Sequence, residues 1–242
     1  MRELNICHIY PDLLNLYGDR GNILCLKQRI ERRDIKANVI EVKMGDKFDS
    51  NNADIIFIGG GQDFEQDVLL KDLKGDKEKA LINAIESEKV LLAICGGYQM
   101  LGKYYKTHDG NQMDFIGALD FYTVGAKQRM IGNYAFKTES GIEIVGFENH
   151  SGKTYLGSGV KPLGTVIKGF GNNGEDKTEG AIYKNTFCTY SHGPVLPKNP
   201  EFADLLIKKV LINKYNDDEL ATINDEFETK AHNSVMNMYI NS

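Results

Sequence analysis

Val90-Leu91-Leu92-Ala93-Ile94-Cys95-Gly96-Gly97-Tyr98-Gln99-Met100-Leu101-Gly102 reads as a buried strand, a small-residue corner and a helical stretch. Such a corner lifts one side chain out of the backbone, the logic of a nucleophile elbow with a thiol in place of a hydroxyl. It also sets the sulfur near the first amides of a helix, which favour thiolate. Lowering a thiol pKa from about 8.5 to about 6 takes roughly 3.4 kcal/mol. A helix terminus and a nearby imidazolium together are the expected source. Free cysteine is also a common core residue. Two glycines directly after a strand argue against that role here, because core packing alone does not call for them.

Outward from this corner, the first hundred residues alternate strands and helices. Leu4–Ile9, Lys36–Val42 and Asp54–Ile58 are strand-like, and the last stops at Gly59-Gly60-Gly61. Gly21–Arg33 carries Ile23, Leu24, Leu26 and Ile30 at helical spacing, and Asp76–Ser87 carries Ala80, Leu81, Ala84 and Ile85 on one face. Strands joined through helices predict an open, mainly parallel sheet covered on both faces. Active sites of such sheets lie beyond the carboxyl ends of the strands. Cys95 and the glycine triplet both fall there.

From about Phe115 to Tyr190 short strands alternate with glycine and polar turns: Gly132–Lys137, Gly141–Phe147, Gly164–Gly169, Ala181–Tyr183 and Thr186–Tyr190. These predict antiparallel hairpins added at one side of the sheet. Asn199-Pro200-Glu201 starts a helix through Asn213, with proline and an acid suited to its first turn. One domain is expected over residues 1–213, with 214–242 as its helical or mobile extension.

With 242 residues, 41% hydrophobic and 26% charged, the chain falls in the class of ordinary soluble proteins. The net charge is −5 and the basic residues are scattered, densest at Arg29-Ile30-Glu31-Arg32-Arg33, which excludes a nucleic-acid groove. No apolar run reaches bilayer length. The start, Met1 to Tyr10, reads as a strand and not as a signal peptide. Cys7, Cys25, Cys95 and Cys188 form no Cys-x-x-Cys pair, which fits a reducing cytoplasm. The five histidines are dispersed, so no metal is expected.

A cysteine nucleophile needs a base and an acyl-oxygen site. The base candidate is His192 in Thr189-Tyr190-Ser191-His192-Gly193-Pro194, at a strand end and in a turn. His150 competes; His8, His108 and His232 read as structural or exposed. The Gly96 amide is one expected oxyanion donor, and an amide of Gly59-Gly60-Gly61 the other. Such donors contribute about 2.7–4 kcal/mol each. No nucleotide-binding motif occurs.

These segments, with Gly146-Phe147-Glu148-Asn149-His150 and Leu14-Asn15-Leu16-Tyr17-Gly18-Asp19-Arg20-Gly21-Asn22, resemble class I glutamine amidotransferases of the cobyric acid synthase-like branch. The similarity runs from Leu4 to about Pro200, and it is greatest to the branch's free-standing small subunits. It implies a flavodoxin-like sheet and a glutaminase forming a γ-glutamyl thioester on Cys95, with His192 as base and Gly60 and Gly96 lining the oxyanion hole. By the same resemblance Gln99 contacts glutamine, and Arg129 would meet its α-carboxylate as a planar fork meeting a planar anion. The implied partner is a Mur ligase-like (MurT-like) subunit. It would hold ATP and Mg²⁺ and amidate the D-glutamate α-carboxyl of the lipid II stem peptide; no cofactor is expected in this chain. Many class I members place a glutamate two residues after the histidine, whereas Pro194 stands here. A dyad, or a carboxylate supplied by the partner, is the expectation. An amidotransferase for another acceptor, a lone cysteine amidohydrolase and a regulatory subunit with a relic elbow are the alternatives.

Overall fold

A computed structural model describes residues 2–61 and 63–240, and of residues 63–67 the backbone alone. In chain order the elements are β1 (Glu3–Ile9), α1 (Arg20–Glu31), β2 (Lys36–Val42), β3 (Ile55–Ile58), α2 (Asp63–Leu73), α3 (Asp76–Glu86), β4 (Val90–Ile94) and α4 (Gly96–Met100). Then follow β5 (Tyr104–Lys106), β6 (Gln112–Asp114), β7 (Phe121–Thr138), β8 (Glu143–Leu156), β9 (Gly164–Lys168), β10 (Thr178–Glu179), β11 (Ala181–Tyr183), β12 (Thr186–Thr189), α5 (Pro200–Tyr215) and α6 (Glu226–Val235).

The first sheet has the order β11-β12-β4-β3-β1-β2, parallel throughout except for β11. β3 and β4 are buried at every position, and β12 likewise. The continuous apolar runs of β3 (Ile-Ile-Phe-Ile) and β4 (Val-Leu-Leu-Ala-Ile) are what a strand covered on both faces requires, while β12 buries Thr186 and Thr189 beside Phe187 and Cys188. The chain leaves β1 toward β2 on one side and β3 toward β4 on the other. With right-handed crossovers, these opposite moves put α1 and the α2–α3 pair on opposite faces. The expected doubly covered parallel sheet is the one observed.

The hairpins are longer than the sequence suggests. They form a second sheet, β10-β9-β7-β5-β6, with β8 on β7. β7 and β8 are single strands of 18 and 14 residues, where short separate ones were expected. Their pairing slips between Gly125 and Met130. That irregularity breaks the two-residue alternation along the sequence. The two sheets meet where His192 and Phe147 exchange backbone hydrogen bonds of 2.8 and 3.3 Å. α5 continues past the expected end at Asn213 to Tyr215 and stops at Asn216, whose φ of 52° is a left-handed cap.

Candidate active site

Cys95 follows β4 with φ 48° and ψ −103°, a conformation that costs a non-glycine residue about 1–3 kcal/mol. Its backbone is pinned on both sides: its N–H donates to Thr189 O at 2.9 Å, and its carbonyl accepts from Gln99 N–H at 2.9 Å. At Gly97, a Cβ would lie 2.7 Å from Gly59 O and from Ile58 Cγ2, so the corner closes only with glycine there. α4 is five residues long. The sulfur therefore feels the first local amides, Gly96 N–H among them, more than a summed helix dipole.

Three side chains converge on Gly60. A Cβ there would sit 2.7 Å from His192 Cε1, 3.1 Å from Asp19 Oδ2 and 3.4 Å from Cys95 Cβ. The expected Cys95–His192 pair thus faces itself across a residue that must be glycine. His192 is fully buried. Burial alone would lower its pKa, but the Cys95 sulfur and the Asp19 carboxylate outweigh it and raise the imidazole to about 10. This ring is held as imidazolium through neutral pH, ready to give a proton to a leaving amine.

Gly60 was expected to offer its amide to the oxyanion, yet that N–H donates to Asp19 Oδ2 at 2.6 Å in a buried bond. It is the next residue, Gly61, that lines the cavity beside Cys95. A carboxylate of this chain faces the other side of the ring: Asp19 Oδ1 lies 3.5 Å from His192 Nδ1, with both side chains fully buried. Asp19 belongs to the Leu14–Asn22 segment, in which no spacing along the chain marks this acid.

The cavity beyond Cys95 has a volume of about 460 Å³, within the range of small-molecule sites. Gln99 and Arg129 both line it. Gln99 Nε2 donates to the Tyr190 hydroxyl at 3.1 Å. Arg129 lies in the slipped stretch of β7. Its Nε donates to Asn149 Oδ1 at 2.8 Å and its second terminal nitrogen to Asn149 O at 3.1 Å. Asn149 in turn donates to the Tyr17 hydroxyl, and the Tyr17 ring meets His192 edge-on at 4.9 Å. Arg129 is therefore aimed, not loose.

His150 is a wall of the cavity. Its Nδ1 donates to Gly152 O at 2.8 Å, and its ring stacks on Tyr190 at 3.6 Å and 6°. That clamp, away from the Gly60 convergence, separates it from His192. Behind both rings Glu179 is fully buried and accepts from Thr189 Oγ1, Tyr190 N–H and the Tyr134 hydroxyl at 2.6, 2.9 and 3.1 Å. Among the described residues no cluster of His, Cys, Asp and Glu could hold a metal ion.

An elbow cysteine with a buried imidazole beside it, at the carboxyl edge of a doubly covered sheet, fits acyl-transfer chemistry through a thioester. Residues 5–200 match the CobB/CobQ-like glutamine amidotransferase domain, and the chain belongs to that family. Within it the chain is 46% identical over 231 residues to the lipid II isoglutaminyl synthase (glutamine-hydrolyzing) subunit GatD of Staphylococcus aureus. That alignment covers 96% of this chain and 94% of the relative. The GatD subunit of Streptococcus pneumoniae is 44% identical, over 89% of this chain and 84% of the relative. Cobyric acid synthase of Listeria monocytogenes is 31% identical over 79% of this chain but only 39% of its own length. A glutamine amidotransferase structure from Thermotoga maritima shares the fold, with a TM-score of 0.55 at 17% identity over 98% of this chain and 95% of that one.

Proposed function

We propose that the chain is the glutaminase subunit of a lipid II isoglutaminyl synthase, working in the cytoplasm with a Mur ligase-like partner. The Cys95 thiolate attacks the side-chain amide carbon of glutamine, and the oxyanion meets the amides of Gly96 and Gly61. As the tetrahedral adduct collapses, the C–N bond breaks and His192 gives its proton to the leaving nitrogen, releasing ammonia. Water then attacks the thioester while His192 takes a proton back, and glutamate leaves. Arg129 holds the α-carboxylate and Gln99 the bound amino acid. The partner would supply ATP and Mg²⁺ chemistry and amidate the D-glutamate α-carboxyl of the stem peptide to D-isoglutamine.

The observation that carries this reading is the convergence of Cys95 and His192 on Gly60, with Cys95 opening onto a cavity that Arg129 also lines. The acceptor rests on the two GatD relatives, aligned over nearly their whole length. The test is ammonia release from glutamine, alone and with a MurT-like partner, ATP-Mg²⁺ and lipid II. Release that needs Cys95 and amidated lipid II are expected. Release without amidation would move the acceptor elsewhere; no release from a folded chain would remove the glutaminase.

A further inference from the structure

We propose that Asp19 is the positioning residue of His192, so that the chain completes a Cys95–His192–Asp19 line from its own N-terminal segment. This rests on the glutaminase reading of the same cavity. Asp19 occupies the cap position of α1, where an aspartate ordinarily accepts from its own helix amides. Here the carboxylate makes no such bond. One oxygen takes Gly60 N–H at 2.6 Å, and the other faces His192 Nδ1 at 3.5 Å. Those last two atoms are buried with no other partner among the described residues. A separation slightly beyond hydrogen-bond length is common before substrate closes such a site.

The surrounding chain is shaped to deliver this carboxylate. Leu16 N–H donates to Gly60 O at 3.0 Å, and Leu196 N–H donates to Asn22 Oδ1 at 2.9 Å. A Cβ on Gly21 would lie 2.4 Å from the Pro194 ring. Pro194 stands where a glutamate two residues after the histidine would otherwise orient it. Here it serves as the floor against which the Asp19 turn is seated. Of the charged groups facing His192, Cys95 comes from the β4–α4 corner and Asp19 from the α1 side; Tyr17 adds an uncharged ring edge. An anion at Nδ1 keeps the proton on that nitrogen and turns Nε2 toward Cys95. By gripping Gly60 with its other oxygen, Asp19 also ties the base to the glycine turn that presents Gly61.

The test has two arms. With the partner present, Asp19→Asn lowers glutamine-dependent ammonia release by ~10²–10⁴-fold, and Asp19→Glu restores part of it. The second arm follows the His192 ring nitrogens by ¹⁵N NMR in the Cys95→Ala chain, where the sulfur is gone. There Asp19 holds the ring protonated above its ordinary 6.5, and adding Asp19→Asn drops the titration by about 1–3 units. A His192 that titrates below 6.5 in Cys95→Ala, as a buried imidazole without an anion does, overturns the proposal. So does a titration that Asp19→Asn leaves unmoved. If the wild type releases no ammonia, the glutaminase reading fails, while the NMR arm still decides whether Asp19 governs His192.

Discussion

At Cys95 chemistry and stability pull in opposite directions. The positive φ that lifts the sulfur above β4 is paid for by bonds to Thr189 and Gln99. Glycine adopts that φ freely and alanine does not. Cys95→Gly should therefore be about 1 kcal/mol more stable than Cys95→Ala in chemical denaturation, with both inactive; equal stabilities would show that the corner stores no strain. Arg129 makes a second prediction. Its fork is fixed by Asn149 and faces the cavity. Arg129→Lys keeps the charge but loses the planar pair, and should raise KM for glutamine about 10-fold or more with a smaller change in kcat. An unchanged KM would place the α-carboxylate elsewhere. Gln99 and Arg129 were named only through the resemblance, whereas Cys95 and His192 were legible as candidates because each sits at a strand end. Asp19 was not. The role proposed for it depends on positions 19, 60, 95 and 192 meeting in space, which no spacing along the chain reveals.

Among the elements, β12 carries the base and is braced from behind by Glu179 at the end of β10. Burial raises the Glu179 carboxyl, its three donors pull it back, nearby Glu148 raises it again, and the balance lies at about 7 against an ordinary 4.5. The folded chain thus holds this proton more tightly than the unfolded chain does. The linked stability is fully present below pH 4.5 and is lost as pH rises through 7. Between pH 5 and 8 the wild type should lose about 2–3 kcal/mol that Glu179→Gln does not lose. Parallel pH–stability curves for the two proteins would contradict this. The parallel strands were readable because burial on both faces demands continuous apolar runs. β7 and β8 were read as fragments, because one slipped register breaks a period of two and their outer faces are polar.

Across the whole molecule, the segment after α5 is a strap. The Arg29-Ile30-Glu31-Arg32-Arg33 group, in the sequence only the densest positive patch, is what fastens it. Arg29 is buried and grips Asp225 with two bonds of 2.6 and 2.9 Å while also holding Asp204. Arg32 and Arg33 donate to the carbonyls of Asn224 and Ala221. α6 then reaches the second sheet, where Val235, Met236 and Ile240 pack on Ala135 and Val145. The tail therefore ties α1 to the sheet that carries Arg129. Asp225→Ala removes one anion from a buried guanidinium and should cost about 1–3 kcal/mol. Limited proteolysis should then cut within residues 217–240 about tenfold faster, with ammonia release retained at saturating glutamine. A cleavage rate equal to wild type would mean the strap is held by its apolar end alone.

The proposed chemistry turns on a covalent γ-glutamyl group on one sulfur. Its most direct measurement is acid-quenched mass spectrometry of the chain turning over glutamine with its partner, digested and read at the peptide that carries Cys95. A hydroxylamine-sensitive γ-glutamyl adduct is expected on that peptide, absent from Cys95→Ser. Glutamine turnover with no adduct there, or turnover that survives Cys95→Ser, would contradict it.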